Sequence, residues 1–484
     1  MNLDNFAKTK IIATVGPAST DEKVLREMIR HGVDVIRINS AHGSQKTHEQ
    51  MIEMVRAFEE EEGKPLSILY DLAGPKIRLG ELPDDGIMLE DGTVLTLEEG
   101  TDGPEALPVE CPAFASMLEP GKRIFINDGA IQLTVIDIAG KKVKARVDTG
   151  GLVTSRKGVN LPDTDIDLPA LSKDDKANLR FGLHAGVDWF ALSFVREAEN
   201  IKSVYEVMRE EGICKPIVAK IETPQAIREI DEIIEAFQGV MVARGDLGVE
   251  LPIENVPHLQ KQLIQKCNQA GKPVITATQM LESMIENNRP TRAEAADVAN
   301  AIYDGTDCVM LSGETAVGKY PVVAVDMMNS IILSTEREIN YSQRRYPTDY
   351  MKSIADSVSH AVFQAAIDVR AKAIVTFTQS GSTARMVSKY RPPAPIYALT
   401  PSVDIQRQLN LVWGVHPLRI TNALNTDEMF DLAEAHLKEL GVVIDDDRIV
   451  LSAGVPIGVP GTTNLMKVQV VGDKGEPADE FSVT

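Results

Sequence analysis

Cysteine, histidine and positive charge are all scarce in this chain, and each shortage excludes something. The four cysteines (Cys111, Cys214, Cys267 and Cys308) are scattered through 484 residues with no CxxC pair. A disulfide framework or a thiolate zinc site is therefore not expected, and buried thiols fit a reducing compartment. Only 8 histidines occur, none at metal-ligand spacing with a cysteine. Lys+Arg number 50 against 71 Asp+Glu, a net charge of −21. That balance argues against nucleic acid or an anionic membrane as partner, because both are bound through basic surface. Small phosphorylated substrates stay open, since a few local Arg and Lys residues can hold them. No apolar run approaches the ~18 residues of a membrane helix. The opening MNLDNFAKTKIIATVGP lacks the basic flank, apolar stretch and small-residue cleavage site of a secretory signal. A soluble, cytoplasmic protein is the expectation.

What the chain does have is core material: 43 % of its residues are hydrophobic and 25 % charged. Its length suggests roughly three domains at about 150 residues each. Eight short apolar runs recur: IIATVG (11–16), VDVIRIN (33–39), LSILYDL (66–72), DWFALSF (188–194), PIVAKIE (216–222), VMVARGD (240–246), PVITATQM (273–280) and CVMLSGE (308–314). They read as strands buried on both faces. Amphipathic segments such as 21–32 and 223–238 supply helical crossovers, which together predict a (β/α)8 TIM barrel. The polar residues cluster at the carboxyl ends of these runs: Arg37 and Asn39, Asp71, Ser193, Lys220 and Glu222, Arg244 and Asp246, Thr278, and Ser312 and Glu314. Closure into a barrel brings those ends to one face, where barrel enzymes carry their active sites.

The rhythm breaks between residues 76 and 165, where DG and GG turns punctuate short alternating segments such as RIFIND and AIQLTVIDI. This predicts an inserted all-β domain hanging over the barrel mouth as a lid. From residue 341 to 484 an α/β domain follows, with a helix at 353–369 and strands at 373–378, 396–400, 448–453 and 466–471. The barrel accordingly takes residues 1–75 and 166–340.

Glu222 and Asp246, on adjacent strand ends, are suited to a hard divalent cation, Mg²⁺ or Mn²⁺, with substrate oxygens completing its shell. Each taken singly could equally be a helix cap or an ion-pair member. Lys220 lies two residues from Glu222 and so points to the same side of the strand. With Arg37, Arg78 and Arg244 nearby, the excess of cations calls for an anionic, phosphorylated substrate. Backbone N–H groups in ARGDLGVEL (243–251) could bind a carboxylate or phosphate, and the hydroxyls of Thr278 and Ser312 could bond substrate or relay a proton. In TFTQSGSTARMVSKYRP (376–392) a Ser/Thr/Gly loop precedes a helix. It is either a second anion site, closed by GVPGTTN (458–464), or ordinary capping by Ser382 or Thr383.

With these residues assembled, the chain resembles the pyruvate kinases over about residues 8–471. The motifs are TKIIATVGPAS (9–19), RINSAHG (37–43), AGPKIR (73–78), KIETPQAI (220–227), ARGDLGVE (243–250), TATQMLESM with NRPTRAEAADVANA (276–301) and MLSGETAVGKYP (310–321). The resemblance implies transfer of the phosphoryl group of phosphoenolpyruvate to ADP, giving ATP and, after protonation, pyruvate. It implies Glu222 and Asp246 as metal ligands, and Lys220 and Arg37 as cations around the transferring phosphoryl. Gly245, Asp246 and Thr278 would meet the substrate carboxylate, and Thr278 and Ser312 the proton-delivery chain. Asn39, His42 and Arg78 would lie near nucleotide or phosphate; the nucleotide-contacting lysine of some members falls here on Asp174, with Lys173 one residue away as its expected substitute. A homotetramer is likewise implied.

Two departures stand out. Where many members read DTKGPE and NFSH, this chain has DLAGPK (71–76) and NSAH (39–42). Ala41 and Leu72 thus remove two oxygen ligands of the family's K⁺ ion, and Lys76 replaces an acidic residue. The Lys76 ammonium is expected to stand in for K⁺, so that no monovalent cation is required; the alternative is that it reaches into solvent. In the last domain, Thr378, Ser380, Gly381, Ser382 and Thr383 form the expected effector loop for a sugar phosphate or nucleotide, with Ser382 where many members carry Arg or Lys. Two other readings of the chain are a divalent-metal lyase or aldolase, and a metabolite sensor built on an inactive kinase.

Overall fold

The computed structural model describes residues 7–100, 106–166, 168–341, 353–421, 425–456 and 462–473. Eight parallel strands close into a barrel: Lys10–Thr14, Val33–Asn39, Ser67–Leu72, Trp189–Leu192, Ile217–Ile221, Gly239–Ala243, Val274–Ala277 and Cys308–Leu311. Closure is made by the first strand, which pairs with the second through Ile11↔Val33 and with the eighth through Lys10↔Cys308. All eight apolar runs are present, one in each strand.

Alternation along the strands builds two cores. Ile12, Val35, Leu69, Val218, Met241 and Ile275 fill the barrel interior. Their neighbours Ile11, Ile36, Ile68, Ile217, Val240 and Val274 pack against the surrounding helices. This is the period of two that a strand covered on both faces requires. Helix starts are set by short polar side chains: Asp21 caps Glu22–Arg30, and Thr291 with Glu294 forms a reciprocal capping box on Arg292–Asp304. The segment 223–238 makes its crossover as two short helices, Pro224–Arg228 and Ile230–Ala236, that meet at Glu229.

Between the third and fourth barrel strands the chain forms a six-stranded sheet and a separate two-stranded one. Leu97, Ile124, Leu133, Val143 and Val147 lie in their own core. This β insertion meets the barrel mouth where Asn160 Nδ2 donates to Glu250 Oε1 at 2.6 Å.

The C-terminal region has a five-stranded sheet: Ala373–Phe377, Ile396–Thr400, Val415–Arg419, Arg448–Gly454 and Thr463–Val470. Helix Ile354–Asp368 precedes it. Strand Val415–Arg419, absent from the sequence expectations, contains Pro417 and lies at the sheet edge, the place where a residue without an N–H is tolerated. The polar stretch 342–350 lies outside the described residues.

Barrel and C-terminal region are joined by a buried ion pair. Arg391 donates through Nη1 to Asp307 Oδ1 at 2.9 Å and through Nη2 to Asp307 Oδ2 at 3.0 Å. The backbone N–H of Trp413 reaches the same carboxylate at 3.1 Å. Leu411 from this region belongs to the cluster inside the barrel. Among the described residues no helix is long and apolar enough to cross a membrane.

Candidate active site

At the carboxyl end of the barrel, Lys220 is the hub. Its Nζ lies 2.6 Å from Ser193 Oγ, 3.0 Å from Glu222 Oε1 and 3.4 Å from Asp71 Oδ1. Burial works against the ammonium, yet Asp71 and Glu222 outweigh it, and the pKa of Lys220 stands above its ordinary value. Arg37 shares the Asp71 carboxylate, with Nε at 2.8 Å and Nη2 at 2.7 Å from Oδ2, and its Nη1 donates to Thr14 Oγ1 at 2.9 Å. Burial alone would raise the Asp71 pKa; Lys220 and Arg37 overcome it and hold the carboxylate ionised.

Glu222 has one oxygen against Lys220, and the other accepts the Phe194 N–H at 2.7 Å. Phe194 presents that N–H from a left-handed backbone, φ 53°. Burial, with the nearby Asp246 carboxylate, raises the Glu222 pKa against the opposing pull of Lys220. Asp246 lies in the short helix Arg244–Glu250, whose N-terminus has no side-chain cap. Its Oδ1 accepts from Lys76 Nζ at 3.2 Å, and Lys76 also stands 3.6 Å from Asp128 Oδ1 of the β insertion. The Lys76 side chain is 21 % exposed. Its Cε packs closely over Gly158, where an added Cβ would come within 2.7 Å. Lys76 is therefore held in the site, not extended into solvent.

Thr278 and Gln279 both have positive φ, 66° and 54°, which turns the seventh strand end into the mouth. Thr278 Oγ1 accepts the Gly245 N–H at 2.8 Å and donates to Ala277 O at 2.7 Å. The Gly245 donor is thus engaged by Thr278. Ser312 opens the helix Gly313–Ala316, and its Oγ is buried with no hydrogen-bond partner among the described residues. Its N–H donates to Glu314 Oε2 at 2.7 Å, and Glu314 Oε1 also holds the Leu281 N–H.

The other expected residues are dispersed. Arg244 turns away from the mouth to Asp297, at 2.7 Å, and to the carbonyls of Ala277 and Thr278, which makes it a brace between elements. Arg78 reaches the Arg156 carbonyl in the β insertion. Asn39 Oδ1 accepts the Ala41 N–H at 3.1 Å, and His42 is exposed with its carbonyl bonded to His48 Nε2. Lys173 is exposed at the first turn of helix Lys173–His184. Asp71 and Ser193 were legible only as strand-end residues; their place around Lys220 depends on closure of the barrel.

In the C-terminal loop, Gly381 (φ 79°) caps helix Ser382–Ser388, with no side-chain cap from Ser382 or Thr383. Thr378 Oγ1 is buried without a partner among the described residues, Ser380 donates to Ser382 at 3.2 Å, and Thr383 Oγ1 meets Thr463 Oγ1 at 2.9 Å. Residues 457–461 of the opposing loop lie outside the described residues.

A closed barrel with cations and carboxylates interleaved at its carboxyl face, beneath a β insertion, defines an enzyme built for a small anionic substrate. The family model "Pyruvate kinase, barrel domain" matches residues 6–325, and "Pyruvate kinase, alpha/beta domain" matches 356–469. The chain is 44 % identical over 475 residues to the pyruvate kinase of Geobacillus stearothermophilus, covering 96 % of this chain and 81 % of the relative. It is 44 % identical over 470 residues to that of Clostridium acetobutylicum, covering 96 % and 99 %. Pyruvate kinase 2 of Synechocystis sp. is 45 % identical over 478 residues, covering 96 % and 79 %. The chain belongs to the pyruvate kinase family and is a phosphotransferase.

Proposed function

We propose that the barrel mouth transfers the phosphoryl group of phosphoenolpyruvate to ADP and that Lys220 and Arg37 are the cations flanking the transferred group. The observation that carries this is the sharing of Asp71: one carboxylate holds a guanidinium on one oxygen and an ammonium beside the other. Phosphoryl transfer needs positioning and charge stabilisation more than covalent chemistry, and two fixed cations supply both. Ordered before substrate arrives, they need little reorganisation in the transition state.

Glu222 and Asp246 suit a divalent cation, Mg²⁺ or Mn²⁺. Among the described residues no group of three or more His, Cys, Asp or Glu side chains could hold a metal. Two protein carboxylates with substrate and water filling the rest is how a small hard ion is usually held. The Lys76 ammonium already placed against Asp246 indicates a locus that favours positive charge. When bound, the ion would neutralise charge on substrate oxygens. The backbone N–H of Asp246, in the first turn of helix Arg244–Glu250, would bond the substrate carboxylate beside Thr278. The hydroxyls of Thr278 and Ser312 would serve in delivering the proton that completes pyruvate.

Lys76 takes the part of the monovalent cation, so catalysis proceeds without K⁺. The nucleotide would enter beneath the β insertion, near Asn39, His42, Arg78 and Lys173, with the insertion closing as a lid. The Thr378–Thr383 loop is read as an effector phosphate site, in a cytoplasmic homotetramer. The test is pyruvate formation from phosphoenolpyruvate and ADP with Mg²⁺, first without and then with K⁺. Equal activity supports Lys76 in this part, and activity only with K⁺ removes it. No activity from folded protein, with sugar phosphates and nucleotides supplied, removes the kinase reading.

A further inference from the structure

The β insertion meets helix Arg244–Glu250, the element that carries Asp246, at more than one point. In the two-residue strand Val159–Asn160, Asn160 pairs with Phe125 and sends its side chain to Glu250. The neighbouring strand Arg123–Ile126 ends in a turn where Asn127, Asp128 and Gly129 all have positive φ. That turn brings Asp128 to 3.6 Å from Lys76 and sets Gly129 against Val249, whose Cγ1 an added Cβ would approach to 3.7 Å.

Asn160 and Glu250 are both buried. Asn160 Nδ2 donates to Glu250 Oε1 at 2.6 Å, but Asn160 Oδ1 is buried with no hydrogen-bond partner among the described residues. A buried amide oxygen left unpaired is costly. An ionised carboxylate only accepts and cannot satisfy that oxygen, whereas a neutral carboxyl brings an O–H. Turning the amide over would set two oxygens 2.6 Å apart, which calls for the same proton. The charged groups around Glu250 are Asp246 on its own helix, Lys76 on the segment leaving the third barrel strand, and Asp163 on the insertion. Burial, helped by the two aspartates, raises the Glu250 pKa to about 7 against Asn160 and Lys76.

We propose that Asn160 and Glu250 are positioning residues that latch the β insertion over the barrel mouth, and that the latch holds with Glu250 neutral and slips when it ionises. The inference rests on the reading of the insertion as a lid. With the lid raised, Glu250 meets water and ionises as an ordinary carboxyl does. Closing therefore takes up a proton, and rising pH favours the open mouth.

The test is hydrogen exchange of the full chain over residues 123–129, 158–161 and 244–251 at pH 6 and pH 8, corrected for intrinsic rates. Wild type is compared with Glu250→Gln, Asn160→Asp and the swapped pair, Asn160→Asp with Glu250→Gln. In EDTA, wild-type protection is expected to fall about tenfold from pH 6 to pH 8. Glu250→Gln, whose amide supplies the missing N–H, is expected to keep the pH 6 level at both. Asn160→Asp sets two carboxyls together and is expected to lose about tenfold or more. The swapped pair reverses donor and acceptor and is expected to regain it. With Mg²⁺, kcat/KM for phosphoenolpyruvate, as a ratio to wild type at each pH, is expected to follow the same order. Wild-type protection independent of pH overturns the latch, and so does a swapped pair that regains nothing. Should Asn160→Asp alone fail to fold, Glu250→Gln and the swapped pair still decide. Adding phosphoenolpyruvate and Mg²⁺ separates the two readings. No rise in wild-type protection removes lid and latch together, whereas a rise with no difference among the four chains removes the latch alone.

Discussion

Lys76 Nζ and Asp246 Oδ1 lie 3.2 Å apart, which places a fixed positive charge against a carboxylate suited to holding the divalent cation. A charge at ~5 Å from an anionic substrate, at an effective dielectric of about 20, is worth on the order of 3 kcal/mol. Lys76→Glu is therefore expected to lower kcat/KM for phosphoenolpyruvate about a hundredfold, with at most partial recovery in K⁺, because Ala41 and Leu72 offer no side-chain oxygens. Steady-state kinetics in K⁺ and in a large organic cation check this; full recovery in K⁺ would contradict it.

Lys220→Met removes the ammonium between Asp71, Glu222 and Ser193. Turnover is expected to fall by about a thousandfold or more. The variant also leaves Asp71 and Glu222 short of a counter-charge, so its melting temperature is expected to drop, on the scale of about 3–5 kcal/mol for breaking a buried pair. Circular dichroism separates the two effects, and normal turnover in folded protein would remove Lys220 from its assigned role.

Glu250 accepts from Asn160 of the β insertion, and burial, helped by Asp246, raises its pKa to about 7. The folded state thus holds this proton more tightly than the unfolded chain does. Its stabilising contribution is full below the unfolded value near 4.5, declines as pH rises, and is gone by about pH 7; the total is on the order of 3 kcal/mol. Melting curves in EDTA from pH 5 to 8 are expected to show this fall, and Glu250→Gln to flatten it. An identical slope in the variant would place the titration elsewhere.

Arg391→Met cuts the Arg391–Asp307 pair at the barrel–C-terminal junction and leaves a buried carboxylate with only backbone donors. Urea unfolding is expected to show a loss of about 3–5 kcal/mol. The mouth residues lie on the other face, so phosphoenolpyruvate KM in the remaining folded protein is expected to change little.

The sequence by itself determined the fold and the chemistry available to it. Eight runs of Val, Ile and Leu can be buried on both faces only in a parallel sheet with helical crossovers, and their polar residues cluster at one end of each run. Barrel, β insertion and α/β region were legible for that reason, as was the placing of Lys220, Glu222, Asp246 and Thr278 at the carboxyl ends of barrel strands. Strand Val415–Arg419 was not, because Pro417 and His416 break its apolar pattern while an edge position tolerates them.

Only the tertiary structure decided which partners those side chains take. Arg37 and Arg244 look alike as strand-end arginines, yet one shares Asp71 with Lys220 and the other braces Asp297. Lys76 could have reached solvent; the close approach of Gly158 and the carboxylates of Asp128 and Asp246 hold it in the mouth. Strand periodicity is a local property that sequence records, whereas pairing of charges depends on distances of a few ångströms between segments far apart in the chain, and those exist only once the barrel has closed.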